Sequence, residues 1–195
     1  TGLYTIEEPM KECVKLIIDN QQQSGAFDYS YKTAEGRQDL SLSGWNFQAL
    51  KAAFGTGCEI PGLHDAIYKS VSWLKGMGGS KVSFTYESTN NAFNSAPRKR
   101  QMSMRAVGSL CLQLFGEGNC KEIQDDINTI ATLDIKKLQW QNAPTFSLYS
   151  WYYATQVMFQ SGGKNWQPWN RRFQSLLNAN QNKEGYWEYP NMHAG

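Results

Sequence analysis

Gln21-Gln22-Gln23-Ser24-Gly25-Ala26-Phe27-Asp28-Tyr29 and Gln181-Asn182-Lys183-Glu184-Gly185-Tyr186-Trp187-Glu188-Tyr189 spell one pattern, Q-x-x-x-G-x-aromatic-acid-Tyr, at a separation of 160 residues. Ser83-Phe84-Thr85-Tyr86 keeps the aromatic and the tyrosine without the glycine, and Leu138-Gln139-Trp140 is a degenerate third copy. Phe27, Phe84, Trp140 and Trp187 are then spaced 57, 56 and 47 residues. Self-similarity at such a period marks a repeat architecture. A second series runs out of phase with the first: Phe54-Gly55-Thr56-Gly57, Phe115-Gly116-Glu117-Gly118 and Phe159-Gln160-Ser161-Gly162-Gly163, each behind an apolar stretch. Two interleaved series imply a helical hairpin as the repeating unit. The glycine permits a helix-ending turn, the aromatic stacks between hairpins, and the glutamine bonds free backbone groups at a helix end. We therefore read these elements as structural.

Periodicity fills in the hairpins. Thr5-Ile6-Glu7-Glu8 has capping-box spacing, and Ile6, Met10, Cys13, Val14, Ile17 and Ile18 follow on one helical face up to about Asn20. The next helix, about Asp39 to Phe54, is apolar nearly all round and is expected to be buried. Residues 62–75 give a one-sided helix and 100–115 a more apolar one; Ile123, Ile127 and Ile130 mark the third outer helix. Leu148 to Met158 is the third inner helix, and Pro168 is placed as a first-turn proline for a fourth outer one carrying Phe173, Leu176 and Leu177. The expectation is seven helices and no strand.

Of the 195 residues, 41% are hydrophobic and 13% aromatic, whereas only 18% are charged. The remaining polarity comes from amides, 15 Gln and 14 Asn. That composition excludes disorder and suits one core. No apolar run reaches the length of a membrane span, and a net charge of +2 gives no reason to expect nucleic acid. The one basic cluster, Arg98-Lys99-Arg100 with Arg105, reads as a solvated helix start. Cys13, Cys58, Cys111 and Cys120 form no C-x-x-C pair and no zinc spacing with His64 or His193, so no metal or other cofactor is expected. Cys13 and Cys111 fall on apolar helical faces and the other two in loops, which leaves the compartment open.

Outer one-sided helices around inner apolar ones, each outer helix closed by a Q-x-x-x-G-x-W element, resemble the prenyltransferase and squalene-cyclase repeat family. The segments Leu42-Ser43-Gly44-Trp45-Asn46-Phe47-Gln48-Ala49-Leu50-Lys51, Arg105-Ala106-Val107-Gly108, Tyr149-Ser150-Trp151-Tyr152-Tyr153-Ala154-Thr155-Gln156 and Gly163 to Asn170 look like a bacterial branch of such proteins. The resemblance spans the chain and implies an all-α fold, an α/α toroid. The activities of that family need motifs this chain lacks. There is no D-x-D-D acid run, Asp125-Asp126 being the lone Asp pair and read as solvated. There is no D-x-C zinc element, and Cys58-Glu59-Ile60-Pro61 is not a thioester Cys-Gly-Glu-Gln run.

No catalytic residue is therefore assigned. In a toroid the inner helices run in one direction, so their N-termini gather at one rim, where backbone N–H groups favour anions. Asp39, Trp45, Arg100, Arg105, Tyr149, Trp151 and Tyr152 are the candidate ligand-binding residues there. Asp39 also reads as an N-cap that Arg100 or Arg105 can pair with, and Trp45 and Trp151 also read as core. The leading expectation is a non-catalytic module binding a small molecule or a protein. The alternatives are an enzyme acting on a terpenoid or prenyl ligand and one acting on a polysaccharide in the aromatic cavity. At about 53 residues per hairpin the chain holds three and a half repeats as a single partial-toroid domain over residues 1–195. Related closed rings take about six hairpins, so the arc is expected to be an excerpt of a longer protein or completed by another copy.

Overall fold

The computed structural model describes residues 4–30, 37–78, 84–85, 87–89, 102–133, 140 and 148–188. Among these lie seven helices: α1 (Tyr4–Asn20), α2 (Leu40–Gly55), α3 (Leu63–Gly78), α4 (Met102–Leu114), α5 (Lys121–Ala131), α6 (Leu148–Ser161) and α7 (Gly163–Asn180). The protein is all-α. Helices α2, α4 and α6 pack side by side with α4 in the middle, and α1, α3, α5 and α7 pack on them. The middle position explains burial: every residue of α4 from Ser103 to Leu112 is buried, since it has an inner neighbour on both sides. Helix α2, expected to be the enclosed one, has a single inner neighbour and leaves Trp45 and Phe54 exposed.

The repeated turns carry this arrangement. In the first, Gln22 N–H donates to Ala26 O at 3.0 Å and Gly25 N–H to Gln22 O at 2.9 Å, while Gln21 Nε2 closes the loop on Gly25 O at 2.9 Å. The same amide reaches α3, donating to Ala66 O and to Ser70 Oγ, both at 3.0 Å. The last turn repeats the internal pattern: Asn182 N–H to Tyr186 O at 3.0 Å, Gly185 N–H to Asn182 O at 3.1 Å, and Gln181 Nε2 to Gly185 O at 2.8 Å. Gly25 and Gly185 sit at φ of 98° and 89°, a region that costs other residues dearly.

The first three aromatics of the series each meet the inner helix that follows them. Phe27 is fully buried, with its N–H donating to Ser43 Oγ of α2 at 2.9 Å. The fully buried Phe84 ring lies so close to Gly108 of α4 that a Cβ there would overlap it, which is why α4 carries a glycine at its most crowded point. Trp140 packs on Trp151 of α6 with ring centroids 5.3 Å apart. Removing a ring of this size from water is worth about 2 kcal/mol, so these contacts tie turns to helices.

Several expectations are corrected. Arg37–Asp39 (β1) pairs antiparallel with Glu87–Thr89 (β2), matching Gln38 with Ser88. Three residues per strand are too few for an alternating pattern to show in the sequence. Helix α1 begins at Tyr4, so Thr5 is inside it and is not its cap. Pro168 is not a first-turn residue, because α7 starts at Gly163, where Gly162 O accepts from the N–H groups of Asn165 and Trp166. Cys13 and Ile6 are exposed, while Met10, Val14, Ile17 and Ile18 meet the core. Asp126 is not solvated: it is buried and accepts from Arg105 Nη1 at 2.8 Å, the guanidinium also reaching Thr129 Oγ1 at 3.3 Å. Residues 98–100, 138–139, 142–146 and 189–195 lie outside the described residues, as do Ser83 and Tyr86.

Two substitution series test this packing. A Cβ on Gly25 would run into the Lys69 carbonyl, whereas nothing lies within 4 Å of one on Gly185. In urea unfolding Gly185→Ala is expected to cost about 1 kcal/mol, the backbone strain alone, and Gly25→Ala about 3 kcal/mol or more. Arg105→Met leaves a buried carboxylate without its partner and is expected to cost about 3 kcal/mol, with Arg105→Met/Asp126→Leu recovering much of the loss.

Candidate binding face

The three inner helices run parallel, as their contacts require. Trp45 and Gly44, near the start of α2, meet Tyr153 near the start of α6 and Val107 early in α4. At the other end, Gln113 Nε2 of α4 donates to Val157 O at 3.3 Å and Ser161 Oγ at 3.0 Å of α6. Starts therefore lie by starts. Near this rim the exposed rings come from α2 and α6, since α4 between them is buried from Ser103 to Leu112.

Trp45 and Tyr152 face each other, ring centroids 5.9 Å apart and planes at 26°, yet they remain 49% and 46% exposed. Two large rings stacked in water are unusual unless something else covers them. Beneath them Tyr153 is buried, with its ring edge-on to Trp45 at 5.8 Å and to Tyr152 at 5.1 Å. Tyr149 joins from one turn earlier, 4.9 Å from Tyr153. Gln48 Nε2 spans the helices, donating to Gly44 O at 3.1 Å and to the Tyr153 hydroxyl at 3.4 Å. Burial pushes the Tyr153 phenol above its ordinary range, so it stays neutral and serves as a hydrogen-bonding group. The buried Nε2 of Gln156, one turn beyond Tyr152, has no hydrogen-bond partner among the described residues.

The sequence candidates separate into three groups. Trp45, Tyr149 and Tyr152 are brought together. Asp39, Arg105 and Trp151 are engaged elsewhere. Asp39 caps α2, accepting from Leu42 N–H at 2.9 Å, and is held by Arg37 Nη2 at 3.3 Å. Arg105 belongs to Asp126, not to Asp39. Trp151, 1% exposed, packs between Trp140 and Phe173. Arg100 lies outside the described residues. Sequence reasoning passed over Gln48 and Gln156 and left Tyr153 out of the candidate set. A signal was present, since Trp45-x-x-Gln48 and Tyr153-x-x-Gln156 share the same spacing on two inner helices.

What the arrangement offers is a pair of half-exposed stacked rings over a buried, hydrogen-bonded tyrosine. A separate cleft of about 370 Å³ at the opposite ends of α4 and α6 is lined by the polar side chains of Gln113, Asn119, Gln124, Gln160 and Asn165. Among the described residues no three His, Cys, Asp or Glu side chains are grouped to hold a metal ion, and no described helix is long and apolar enough to cross a membrane. Comparison with known proteins finds no matching family model, no matching curated protein and no matching solved structure.

Proposed function

We propose that the chain is a non-catalytic ligand-binding repeat module, an arc of an α/α toroid of the prenyltransferase and squalene-cyclase repeat kind. In this reading its ligand lies on the Trp45–Tyr152 face. The observation that carries it is the pair of stacked, half-exposed rings at the start of two parallel inner helices. Covering such a pair removes a large apolar area from water, and each ring contributes about 1 to 2 kcal/mol to a stacked ligand. Gln48, bonded to the Tyr153 hydroxyl, steadies the base of the face and has no proton to transfer at neutral pH. The two parallel inner helices and the interleaved turns are what favour an arc over an irregular helical bundle.

The test titrates the purified chain with a prenyl alcohol, a prenyl diphosphate, a triterpene and an oligosaccharide series, read by tryptophan fluorescence, calorimetry and product analysis. A saturable signal with one class and an unchanged ligand is expected. Trp45→Ala and Tyr152→Ala should each weaken binding about tenfold with unaltered circular dichroism, whereas Trp151→Ala should unfold the chain's last hairpin. Conversion of any ligand to product would support the enzyme alternative instead, and binding indifferent to both substitutions would remove the face from consideration.

A further inference from the structure

Helix α1 carries an apolar stripe left exposed among the described residues. Ile6 and Leu16 are 58% and 57% exposed, and Pro9 and Cys13 between them are exposed as well. The spacings of 3, 4 and 3 residues put all four on one helical face, distinct from the Met10, Val14 and Ile17 face that meets the core.

The repeat says what belongs there. Phe27 and Phe84 occupy equivalent places 57 residues apart, and that shift carries Ile6, Pro9, Cys13 and Leu16 onto Leu63, Ala66, Ser70 and Trp73 of α3. All four of those are buried. Ala66 and Ser70 are the residues that receive the Gln21 amide, and the backbone at Lys69 is what crowds Gly25. This face of an outer helix is thus the seat for the Q-x-x-x-G turn of the hairpin before it. In α1 the seat is built and empty of any described residue.

The matching piece is at the other end of the fold. The 181–187 turn has the hydrogen-bonded shape of the 21–27 turn, but Gln181 is exposed and its amide makes no contact like those of Gln21 with Ala66 and Ser70. Tyr186 and Trp187 are exposed where Ala26 and Phe27 are fully buried, and no described residue lies within 4 Å of where a Cβ on Gly185 would stand. We infer that α1 of a second copy of this chain docks its Ile6–Pro9–Cys13–Leu16 face onto the 181–187 turn of the first. The turn's Gln181 amide would then donate to the helix backbone at Pro9, as Gln21 does at Ala66. The contact is heterologous, one surface against a different one, so it links copies head to tail. It rests on the repeat register alone and is independent of the Trp45–Tyr152 face.

Sedimentation equilibrium of the full chain up to the high micromolar range tests it with two variants. Ile6→Lys/Leu16→Lys blocks the helix, and Gln181→Ala/Tyr186→Glu blocks the turn. All four side chains are exposed or partly so, and circular dichroism is expected to match the native chain. The native chain should self-associate, each variant alone should associate at least about tenfold more weakly, and mixing the two should give a one-to-one complex that grows no further. Alkylation of Cys13, followed peptide by peptide, should slow with concentration in the native chain only. A native chain that stays monomeric, association that survives either variant, or a mixture that fails to pair would each overturn the inference.

Discussion

One glutamine amide joins three things in this fold. Gln21 Nε2 closes its own turn on Gly25 O and at the same time reaches Ala66 O and Ser70 Oγ on the next outer helix. Because the amide nitrogen carries two hydrogens, these three acceptors must lie together, which fixes the turn against α3. Gly25 follows from that constraint: backbone from Lys69 occupies the space a side chain would need. Phe27 follows as well, since the turn delivers it to Ser43 of α2 and into the core. The hairpin-to-hairpin step is thus a backbone contact, sealed by an aromatic, and apolar packing along α4 completes it.

That division of labour bears on the site. The inner helices are held by the core and by buried polar links such as Arg105 with Asp126, so their opposite sides are free to carry side chains that packing does not dictate. Trp45 and Tyr152 stand on such a side, and Tyr153 below them is fixed by Gln48. A rigid base under two exposed rings would hold the proposed binding face in shape ahead of a ligand.

Much of this was legible in the sequence, and the reasons differ by feature. The hairpins could be read because glycines and aromatics punctuate the chain at a steady interval, and the seven helices were found in order, with the start of α7 set about five residues late. Pro168 misled because a proline usually stands in a helix's first turn, whereas here it is the exposed sixth residue of α7, where it gives up one i to i−4 hydrogen bond. Asp126 misled because an outer-helix acid next to another acid looks solvated until its arginine partner, 21 residues away, comes into view. The site was half legible. Trp45, Tyr149 and Tyr152 were singled out for their chemistry, but which of Trp45 and Trp151 is core depends on the neighbouring aromatic. Trp140 covers Trp151, whereas among the described residues Trp45 keeps half of its surface exposed.

The amide link between hairpins can be measured by native-state hydrogen exchange on the two matched turns. Their internal hydrogen bonds are alike, so local structure alone gives Gln22 and Gly25 the same protection as Asn182 and Gly185. With α3 seated on the first turn, Gln22 and Gly25 N–H should exchange only through unfolding of the hairpin pair, orders of magnitude more slowly than Asn182 and Gly185 in the dilute chain. Equal exchange in the two turns would contradict the claim that the glutamine seat holds one hairpin to the next.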